Sequence, residues 1–484
     1  MSRIPRRLVS LSMSQIVGIV GRASSLAAVL IGVALGAAHA QAQPAPEPAP
    51  PANEPAPANP PPPSVASANP LAEQQLEQIR QMIVAMPKMF EFHGYFRSGF
   101  GVNAKGGDQD AFQAQGAFAK YRLGNETETY GEIGLDSNWI NPDHTDTWFK
   151  TSIKVAIVAP RDSTFDLIAP FAVRESFVEA GKVLAAHPEM SFWAGQRFYR
   201  RRDVHINDFF FNDMSGYGAG FQDLKVGDKM KLNVAYLGGS APGGGAAMTS
   251  DLGRFAKNTF DIRLSDIPVG TGTLELWLIP TLEFAGELPD GSKPGGIHHG
   301  IGGGVFYNMP FMGGFHELSA EFGIGGAANL SSGLDTGIAD NGWLFRVVDR
   351  AAVQVDPKLS MMWTGVLQLD NRNGSTNGSS GNLWISAGAR PVYCFTKYTG
   401  IAFEGGVDIV KAEAMPGATV DTGVLGKLTV APLIRPGTDF WARPEIRAYV
   451  TAAFWNDAAG AVGGAAFAGD NFGLTAGVQA ESWW

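Results

Sequence analysis

Polar and apolar residues alternate with a period of two through most of the chain after Phe90. Residues 121–136, for example, place Arg122, Tyr130 and Glu132 on one parity and leucine, isoleucine and threonine side chains on the other. Because successive side chains of a β-strand point to opposite faces, this alternation predicts one strand over 121–136. A single strand of this kind fits any antiparallel sheet, so the type of sheet must be inferred from the rest of the chain.

Both ends of the alternating region carry the same pattern. The segment 90–102 places Tyr95 and Arg97 on one face. The carboxyl-terminal segment ends on two tryptophans, of which Trp483 has the polar parity and Trp484 the apolar one. In a soluble sheet this segment would be a half-buried edge strand. In an outer-membrane barrel it would be the closing strand, with Trp484 in the interfacial aromatic girdle.

The number of such segments favours the barrel. Turns rich in glycine, asparagine and aspartate separate them, and roughly 395 residues follow the amino-terminal region. At roughly 20–24 residues for each strand and its loop, this length predicts roughly 16–20 strands, enough to enclose an aqueous lumen. No segment after the signal region has the length of an apolar transmembrane helix. The sequence therefore predicts an all-β transmembrane barrel, which we assign to residues 89–484.

Residues 1–40 are typical of a secretory signal peptide and indicate export. A basic amino-terminal region precedes an apolar run at 26–38 and a small-residue ending at Ala40. The run is shorter than the ~20 residues that a membrane-spanning helix needs. Cleavage is expected after Ala40 or Ala42, and Met13 is an alternative start.

Two different segments connect the signal peptide to the barrel. Residues 41–70 are rich in proline and predict an extended polyproline linker. Residues 71–88 carry apolar residues three and four apart between glutamate and glutamine, which predicts a short helix with one apolar stripe. Such a helix would pair with its copies as a coiled coil or cap the following domain, and the spacing leaves both open.

Composition and charge argue against several classes of function. The formal net charge is −9, and the signal region carries four arginines and no acid, so the exported chain is more acidic still and a nucleic-acid partner is not expected. Cys394 is the only cysteine, so no internal disulfide can form. His205 has no second metal ligand at the usual spacing and is interpreted as a hydrogen-bonded structural residue. No cofactor, metal or enzymatic activity is expected.

Residues 193–220 concentrate charged and aromatic side chains, among them Arg201, Asp208 and Phe210. A soluble core would not bury so many charges, and a free surface would not normally expose so many rings. Rings that stack on a sugar face, beside charges that bond its hydroxyls, suit a wall shared by water and a polyhydroxylated solute. A charged surface loop with a few core aromatics is the alternative.

Several motifs resemble those of maltoporin and the sucrose porins, the sugar-specific outer-membrane porins. They include FHGYFRSG, KYRLGNETETYGE, WAGQRFYRRRDVHINDF, GARPVY, WARPEIR and the final tryptophan pair, and the similarity spans nearly all of 90–484. The resemblance implies eighteen antiparallel strands, a homotrimer and a third extracellular loop that folds inward to narrow each pore. It also implies that 71–88 is a periplasmic coiled-coil helix.

The resemblance further implies which residues carry the sugar. The family moves sugars along a line of aromatic rings, the greasy slide. The matching positions here are Tyr95, Tyr130, Phe165, Phe315, Trp384 and Trp483. Polar side chains beside the slide exchange hydrogen bonds with sugar hydroxyls. The matching positions are Arg97, Arg122, Glu132, Arg174, Arg201 and Asp208.

Three departures from the family pattern bear on selectivity. The constriction tyrosine opposite the slide is Phe210 here, so a hydroxyl is lost at the narrowest point. The first-loop disulfide of the family is absent, because its two positions are Ala111 and Thr127. Residues 240–300 diverge, so maltodextrin is not carried over as the specific substrate.

The sequence therefore predicts a sugar-selective porin of the bacterial outer membrane, through which maltodextrin-like or sucrose-like oligosaccharides diffuse. A general porin for small anions or mixed solutes is the alternative, and an outer-membrane enzyme and a structural envelope tether are weaker ones. The expected partners are the oligosaccharide, outer-membrane lipid and further copies of the chain in a homotrimer. The cell wall and a periplasmic sugar-binding protein are candidate partners for the amino-terminal arm in the periplasm.

Overall fold

The computed structural model describes most of the predicted barrel. The described residues are 89–139, 146–159, 171–239, 255–285, 291, 298–335, 338–372, 381–413 and 420–484. The predicted signal peptide, linker and coiled-coil helix, at 1–88, lie outside these residues, and so does Phe165. Within the described ranges, no helix combines the length and hydrophobicity needed to cross a bilayer.

Eighteen antiparallel strands form one sheet, and two shorter strands form a separate hairpin. The strands are β1 (Phe90–Asn103), β2 (Thr129–Asn138), β3 (Trp148–Ala159), β4 (Phe171–Gly181), β5 (Ser191–Arg197), β6 (Arg202–Val204), β7 (Phe209–Asn212), β8 (Gly216–Val226), β9 (Met230–Gly239), β10 (Phe255–Val269), β11 (Gly272–Ala285), β12 (Gly300–Phe311), β13 (Gly314–Gly325), β14 (Trp343–Asp356), β15 (Leu359–Asn371), β16 (Asn382–Cys394), β17 (Thr399–Lys411), β18 (Gly423–Ile434), β19 (Glu445–Trp455) and β20 (Phe472–Trp483). Two short 3-10 helices, Asp457–Ala459 and Ala465–Phe467, follow β19.

The sheet closes on itself. Each barrel strand pairs with the next along the chain, β5 pairs with β8 across the β6–β7 hairpin, and β1 pairs with β20. In this last pair Tyr95 lies opposite Trp483, and Asn103 lies opposite Thr475. Closure satisfies the backbone hydrogen bonds of both terminal strands, as a barrel in lipid requires. The predicted eighteen-stranded antiparallel barrel is therefore confirmed.

Short turns lie at one end of the barrel and long loops at the other. Two-residue turns join β10 to β11, β12 to β13 and β14 to β15. Three of the long connections shape the lumen. They are the first loop (104–128), the third loop (198–215) and the sixth loop (326–342). Barrels of the bacterial outer membrane have short turns on the periplasmic side and longer loops on the outside.

The wall separates apolar from polar side chains as the alternation predicts. On the outer face, Phe100 of β1 and Val478 of β20 are 63% and 57% exposed. On the lumen face, the side chains of the same two strands are polar, and Glu481 is only 1% exposed because other lumen groups cover it. An apolar outer face and a polar inner face are the pattern of a barrel in a bilayer.

Outward-facing aromatic rings form pairs near both ends of the barrel. At the short-turn end, Trp484 packs on Phe92 with 5.7 Å between ring centroids. At the long-loop end, Phe454 packs on Phe472 at 5.0 Å. Rings at both borders of an apolar band are typical of the two membrane interfaces. Trp484 thus lies in such a girdle, as predicted.

Residues 121–128 do not belong to β2, so the prediction of a single strand over 121–136 is wrong in its first half. The strand begins at Thr129, and the preceding residues form the buried end of the first loop. Their backbone bonds the third loop instead of a neighbouring strand, since the Arg122 N–H donates to the Ile206 carbonyl at 3.0 Å. Alternation does not distinguish a strand from an extended loop with one polar side.

The first loop folds into the lumen and packs on β16 and β17. The ring of Tyr121 lies directly over Gly388 and Gly406, where any Cβ would come within 2.3 Å of a ring atom. The Tyr121 hydroxyl is 3.0 Å from Oγ of Ser386. Because only glycine leaves room for this approach, the two glycines fix where the loop meets the wall.

Asn125 ties the first loop to itself. Its Oδ1 accepts the backbone N–H of Phe112 at 2.7 Å, and its Nδ2 donates to the Phe112 carbonyl at 2.9 Å. These bonds join the neighbourhoods of Ala111 and Thr127, the two positions at which the first-loop disulfide of the family is absent from this sequence. An amide that satisfies both backbone groups of one residue thus closes the loop.

The third and sixth loops fold inward beside the first. The Ser332 hydroxyl of the sixth loop donates to the Ser215 carbonyl of the third loop at 2.5 Å, and Lys257 of the wall donates to Oδ1 of Asn329 at 2.8 Å. The inward course of the third loop is as predicted. The inward courses of the first and sixth loops were not predicted, and together the three loops narrow the lumen.

Candidate functional site

The β6–β7 hairpin of the third loop is clamped across the lumen by arginines of the opposite wall. Nη1 of Arg346 donates to the Phe211 carbonyl, and Nη1 of Arg350 donates to the Asp203 carbonyl, so each strand of the hairpin is held. A guanidinium that donates to a backbone carbonyl is a charge-assisted bond, stronger than a neutral one. The hairpin therefore has a fixed position as the constriction.

Two predicted constriction residues, Arg201 and Phe210, come together on the open side of the hairpin. The guanidinium carbon of Arg201 lies 4.0 Å from the ring centroids of both Phe210 and Phe198, and its Nε donates to Asp213 at 3.0 Å. Phe210 is 40% exposed, so its ring faces the lumen. The other predicted arginine, Arg174, lies 5.1 Å from the same Phe198 ring, which the motifs did not indicate.

Tyr95 and Tyr130 form an aromatic pair on the wall, with 6.0 Å between their ring centroids. The Tyr95 hydroxyl accepts from Nη2 of Arg122 at 2.7 Å and donates to Glu481 at 3.1 Å. The Tyr130 hydroxyl donates to Glu132 at 2.5 Å. The structure thus brings these predicted residues into one cluster, with Arg122 supplied by the first loop rather than by a strand.

Arg97 joins this cluster from β1. Its guanidinium carbon lies 5.1 Å from the Tyr130 ring centroid, and its Nη2 donates to Glu128 at 2.6 Å. Burial alone would raise the pKa of Glu128, but the charge and hydrogen bonds of Arg97 bring that pKa below its ordinary value. The loop carboxylate is therefore ionised, and the cluster presents charges beside two aromatic rings.

Trp483 lies next to this cluster, since it pairs in register with Tyr95. The guanidinium carbon of Arg443 is 4.2 Å from the centroid of the Trp483 rings, and Trp441 is 6.3 Å away. Trp441 is 37% exposed and extends the aromatic surface towards the short-turn end. It lies in the long turn between β18 and β19, within the WARPEIR motif.

His205 lies between two arginines at the turn of the hairpin. Its Nδ1 is 3.3 Å from Arg122 and its Nε2 is 3.4 Å from Arg443. Burial and the charge of Arg122 hold the pKa of His205 well below its ordinary value, so the imidazole is neutral. This is the position of a hydrogen-bonded structural residue. Asp208 completes the same turn with a positive φ of 55°.

Trp384 is on the lumen side of β16, yet it is only 1% exposed. Its Nε1 donates to Asp408 at 3.0 Å, and the rings of Phe209 and Phe118 cover it at 4.9 Å and 5.7 Å. Phe118 is 40% exposed, so the first loop presents its own ring to the lumen at this place. In the sequence, Phe118 is visible only as a single aromatic residue shortly before the KYRLGNE motif.

Phe315 is half-buried near the short-turn end of β13. The guanidinium carbon of Arg350 lies 5.4 Å from its ring centroid. Phe315 therefore repeats the arrangement of an aromatic face beside a cation. Of the predicted slide residues, Tyr95, Tyr130 and Trp483 are adjacent, Phe315 and Trp384 lie on other strands, and Phe165 is outside the described residues.

Comparison with known proteins identifies the family. The LamB porin family model matches residues 90–484, which is the entire barrel. Solved structures with a similar fold include OmpF of Salmonella typhi in complex with daunomycin, at 11% identity, with 81% of this chain and 97% of that chain covered and a TM-score of 0.43. The outer membrane channel DcaP of Acinetobacter baumannii has 13% identity, 82% and 97% coverage and a TM-score of 0.44. OprB of Pseudomonas putida has 8% identity, 85% and 97% coverage and a TM-score of 0.42.

These TM-scores are too low to carry an argument of their own, so the assignment rests on the family match. That match covers every strand of the closed barrel together with the inward-folded third loop. The two aromatic girdles and the polar lumen agree with it. The chain belongs to the LamB porin family and is a porin of the bacterial outer membrane.

Proposed function

We propose that this porin is selective for sugars and that oligosaccharides, maltodextrin-like or sucrose-like, diffuse along its lumen aromatics. The observation that carries the proposal is the cluster of Tyr95, Tyr130, Arg97 and Glu132, in which aromatic faces lie beside groups that bond hydroxyls. A sugar ring has an apolar face and a rim of hydroxyls, and both find a partner there. Small inorganic ions need no aromatic face.

The energetics favour passage over capture. Stacking of one sugar ring on an aromatic side chain contributes about 0.5–1.5 kcal/mol. A hydrogen bond between a hydroxyl and a charged side chain contributes about 1.5–3 kcal/mol when it replaces one to water. Several shallow sites in series let the solute step from one to the next, whereas one deep site would trap it. No bond of the solute is made or broken.

The remaining predicted residues have places in the same path. Trp483 continues the Tyr95 surface, and Phe315 offers a ring near the short-turn end. We place Phe118 above the covered Trp384 as the ring that a sugar meets there. Phe210 offers a ring but no hydroxyl at the constriction, so hydrogen bonds to a sugar there come from Arg201, which lies against the Phe210 ring.

We further propose the assembly that the family resemblance implies. Three copies form a homotrimer, with Phe165 of each subunit at the entrance to a neighbour's path. The arm of residues 41–88 extends into the periplasm, towards the cell wall or a sugar-binding protein. Detergent-resistant trimers on electrophoresis would support the assembly, and a monomer in mild detergent would contradict it.

Block of ion current in planar bilayers tests the sugar selectivity. Maltodextrins, sucrose and other oligosaccharides should reduce the current through the purified full-length porin. Tyr130→Ala removes one stacking face together with its hydrogen bond to Glu132, and should raise the half-blocking concentration about tenfold, the effect of about 1.4 kcal/mol.

The matched control is Tyr236→Ala, because Tyr236 is a tyrosine of the outer face that is 44% exposed. Oligosaccharides should block the current through this variant at the same half-blocking concentration as through the unaltered porin. If no oligosaccharide reduces the current, the chain is a general small-solute or anion porin. If the two variants shift the half-blocking concentration equally, the wall cluster is not the sugar path.

A further inference from the structure

A cavity of about 550 Å³ lies between the third loop and the wall, outside the cluster of Tyr95 and Tyr130. Phe315, near the start of β13, and Asn308, near the end of β12, line it, so the cavity is on the short-turn side of the hairpin. Six arginines line it as well, against the single carboxylate of Glu317. They are Arg197, Arg200, Arg201, Arg202, Arg263 and Arg350.

Carboxylates match four of these six arginines. The pairs are Arg201 with Asp213 at 3.0 Å, Arg263 with Asp261 at 2.9 Å and Glu275 at 2.8 Å, Arg350 with Glu317 at 3.0 Å, and Arg202 with Glu275 at 3.1 Å and with Glu317, so four acids face four arginines. These four guanidinium groups carry little net charge towards the cavity, because a close carboxylate offsets each of them.

Arg197 is not matched in this way. Its Nη1 is 3.6 Å from Oε2 of Glu179, which is too far for a hydrogen bond. Within the described residues, neither Nε nor Nη1 of Arg197 has a hydrogen-bond partner. The other oxygen of Glu179 already accepts from Ser191 at 2.7 Å and from Gln222 at 3.0 Å, so its charge is shared.

Arg200 is still less compensated. Its Nη2 donates to the amide oxygen of Asn233 at 2.7 Å, and that group is neutral. Its Nε has no hydrogen-bond partner in the described part of the chain, and no described carboxylate lies within 4.0 Å of its guanidinium. A positive φ of 50° also holds its backbone in the left-handed region, which arginine seldom adopts. Such a conformation is kept only where the surroundings fix it.

We propose that this cavity binds the anionic group of a charged sugar, a carboxylate or a phosphate, through Arg197 and Arg200 while Phe315 contacts the sugar ring. The inference rests on the proposed sugar selectivity and adds a class of substrate to it. The planar guanidinium fork bonds carboxylate and phosphate oxygens with two parallel hydrogen bonds. Arg200 has no described carboxylate beside it, and Glu179 compensates Arg197 only at 3.6 Å, so both cations are available to an anion.

Current block by probes of equal size tests this proposal on the full-length porin in planar bilayers. Glucuronate and glucose 6-phosphate should each block at a concentration about tenfold below that of glucose, which corresponds to one charge-assisted hydrogen bond. Arg200→Gln should remove most of this advantage and leave block by glucose unchanged. Arg197→Gln should act in the same direction.

The matched control is Lys105→Gln, since Lys105 lies at the long-loop end, pairs with Asp470 and has a side chain that is 49% exposed. The control removes the same charge and should not alter the preference for anionic sugars. If a variant fails to fold, measurements on the unaltered porin still decide the question. Equal half-blocking concentrations for glucose, glucuronate and glucose 6-phosphate would overturn the proposal.

Two further outcomes separate this proposal from the proposed function. Inorganic phosphate that blocks as tightly as glucose 6-phosphate would overturn it, because the ring would then contribute nothing. Anionic sugars that block while neutral oligosaccharides do not would support the cavity and refute a general selectivity for neutral sugars.

Discussion

The two sides of the lumen differ in how completely carboxylates pair with their buried arginines. Beside the first loop, Glu481 is shared by several donors, with Arg122 at 3.0 Å and Arg443 at 2.8 Å among them. Beside the third loop, Arg197 and Arg200 line a cavity, and among the described residues no carboxylate is hydrogen-bonded to either of them. Both sides are rich in arginine, so the difference lies in the acids.

A second group on the first-loop side shows what matched charges do. Glu404 accepts from Arg390 at 2.7 Å and from Lys427 at 2.9 Å, and it also accepts the backbone N–H of Leu123 at 3.0 Å. The wall charges thus hold the loop by its backbone. Charges that neutralise each other fix the protein, whereas charges that remain unmatched are available to a solute.

The largest effect is expected from Glu481→Gln, which removes the acid that Arg122, Arg443 and Arg447 share. Three buried guanidinium groups would then lose one of their counter-ions, leaving Arg122 with Glu126 and the other two with Glu445 alone. Breaking a buried pair costs about 3–5 kcal/mol. Urea unfolding of the porin in lipid vesicles, followed by tryptophan fluorescence, measures the loss in the free energy of unfolding.

The control for this substitution is Glu91→Gln, because Glu91 is exposed at the start of β1 and bonds only Asn138 among the described partners. Its effect should stay within about 0.5 kcal/mol. Equal losses in the two variants would show that the first-loop side owes no special stability to its matched charges.

The next effect concerns the clamp on the hairpin. Arg346→Met removes the donor to the Phe211 carbonyl and leaves Glu321 without its arginine, at a cost of about 2–3 kcal/mol. The freed hairpin should then move, which increases single-channel conductance and current noise. Lys105→Met is the control and should leave both unchanged, because Lys105 pairs with Asp470 and does not contact the hairpin. A variant with unaltered conductance would mean that packing alone holds the third loop.

The wall was predictable from the sequence, and the lumen loops were not. Period-two alternation marks the face of each strand, so the lumen positions of Tyr95, Tyr130 and Trp483 follow from parity. Parity does not indicate which loop covers a residue. Trp384 lies on the lumen side, as the family resemblance implies, and is nevertheless buried, because Phe118 and Phe209 come from distant loops.

Charge matching is equally hidden in the sequence. Arg200 is the first of three consecutive arginines, and the sequence does not distinguish it from its neighbours Arg201 and Arg202. The acid of Arg201 is Asp213 of the same loop, 12 residues on. The acids of Arg202 are Glu275 and Glu317, on β11 and β13, and only the closed barrel brings them near. Which arginine remains unmatched is therefore a property of the fold.

The smallest expected effect is a pH dependence of the free energy of unfolding, which His205 causes on the first-loop side of the lumen. Its pKa is lowered by burial and by the charge of Arg122, so the unfolded chain takes up a proton near pH 6.5 that the folded chain does not. The free energy of unfolding should therefore fall below that pH, by up to about 1.4 kcal/mol per pH unit. His205→Gln does not titrate, so the difference between the two proteins should shrink on acidification. Parallel pH profiles would contradict this.

Two hydrogen bonds between the Asn125 side chain and the backbone of Phe112 close the first loop without a covalent bond. A sulfur bridge at the same place would need an oxidant and the enzymes that reshuffle wrong pairs. A pair of hydrogen bonds forms as soon as the loop is dry, and it re-forms after every opening. The closed form of this loop therefore depends on no thiol chemistry, and a reducing environment leaves its two hydrogen bonds unaffected.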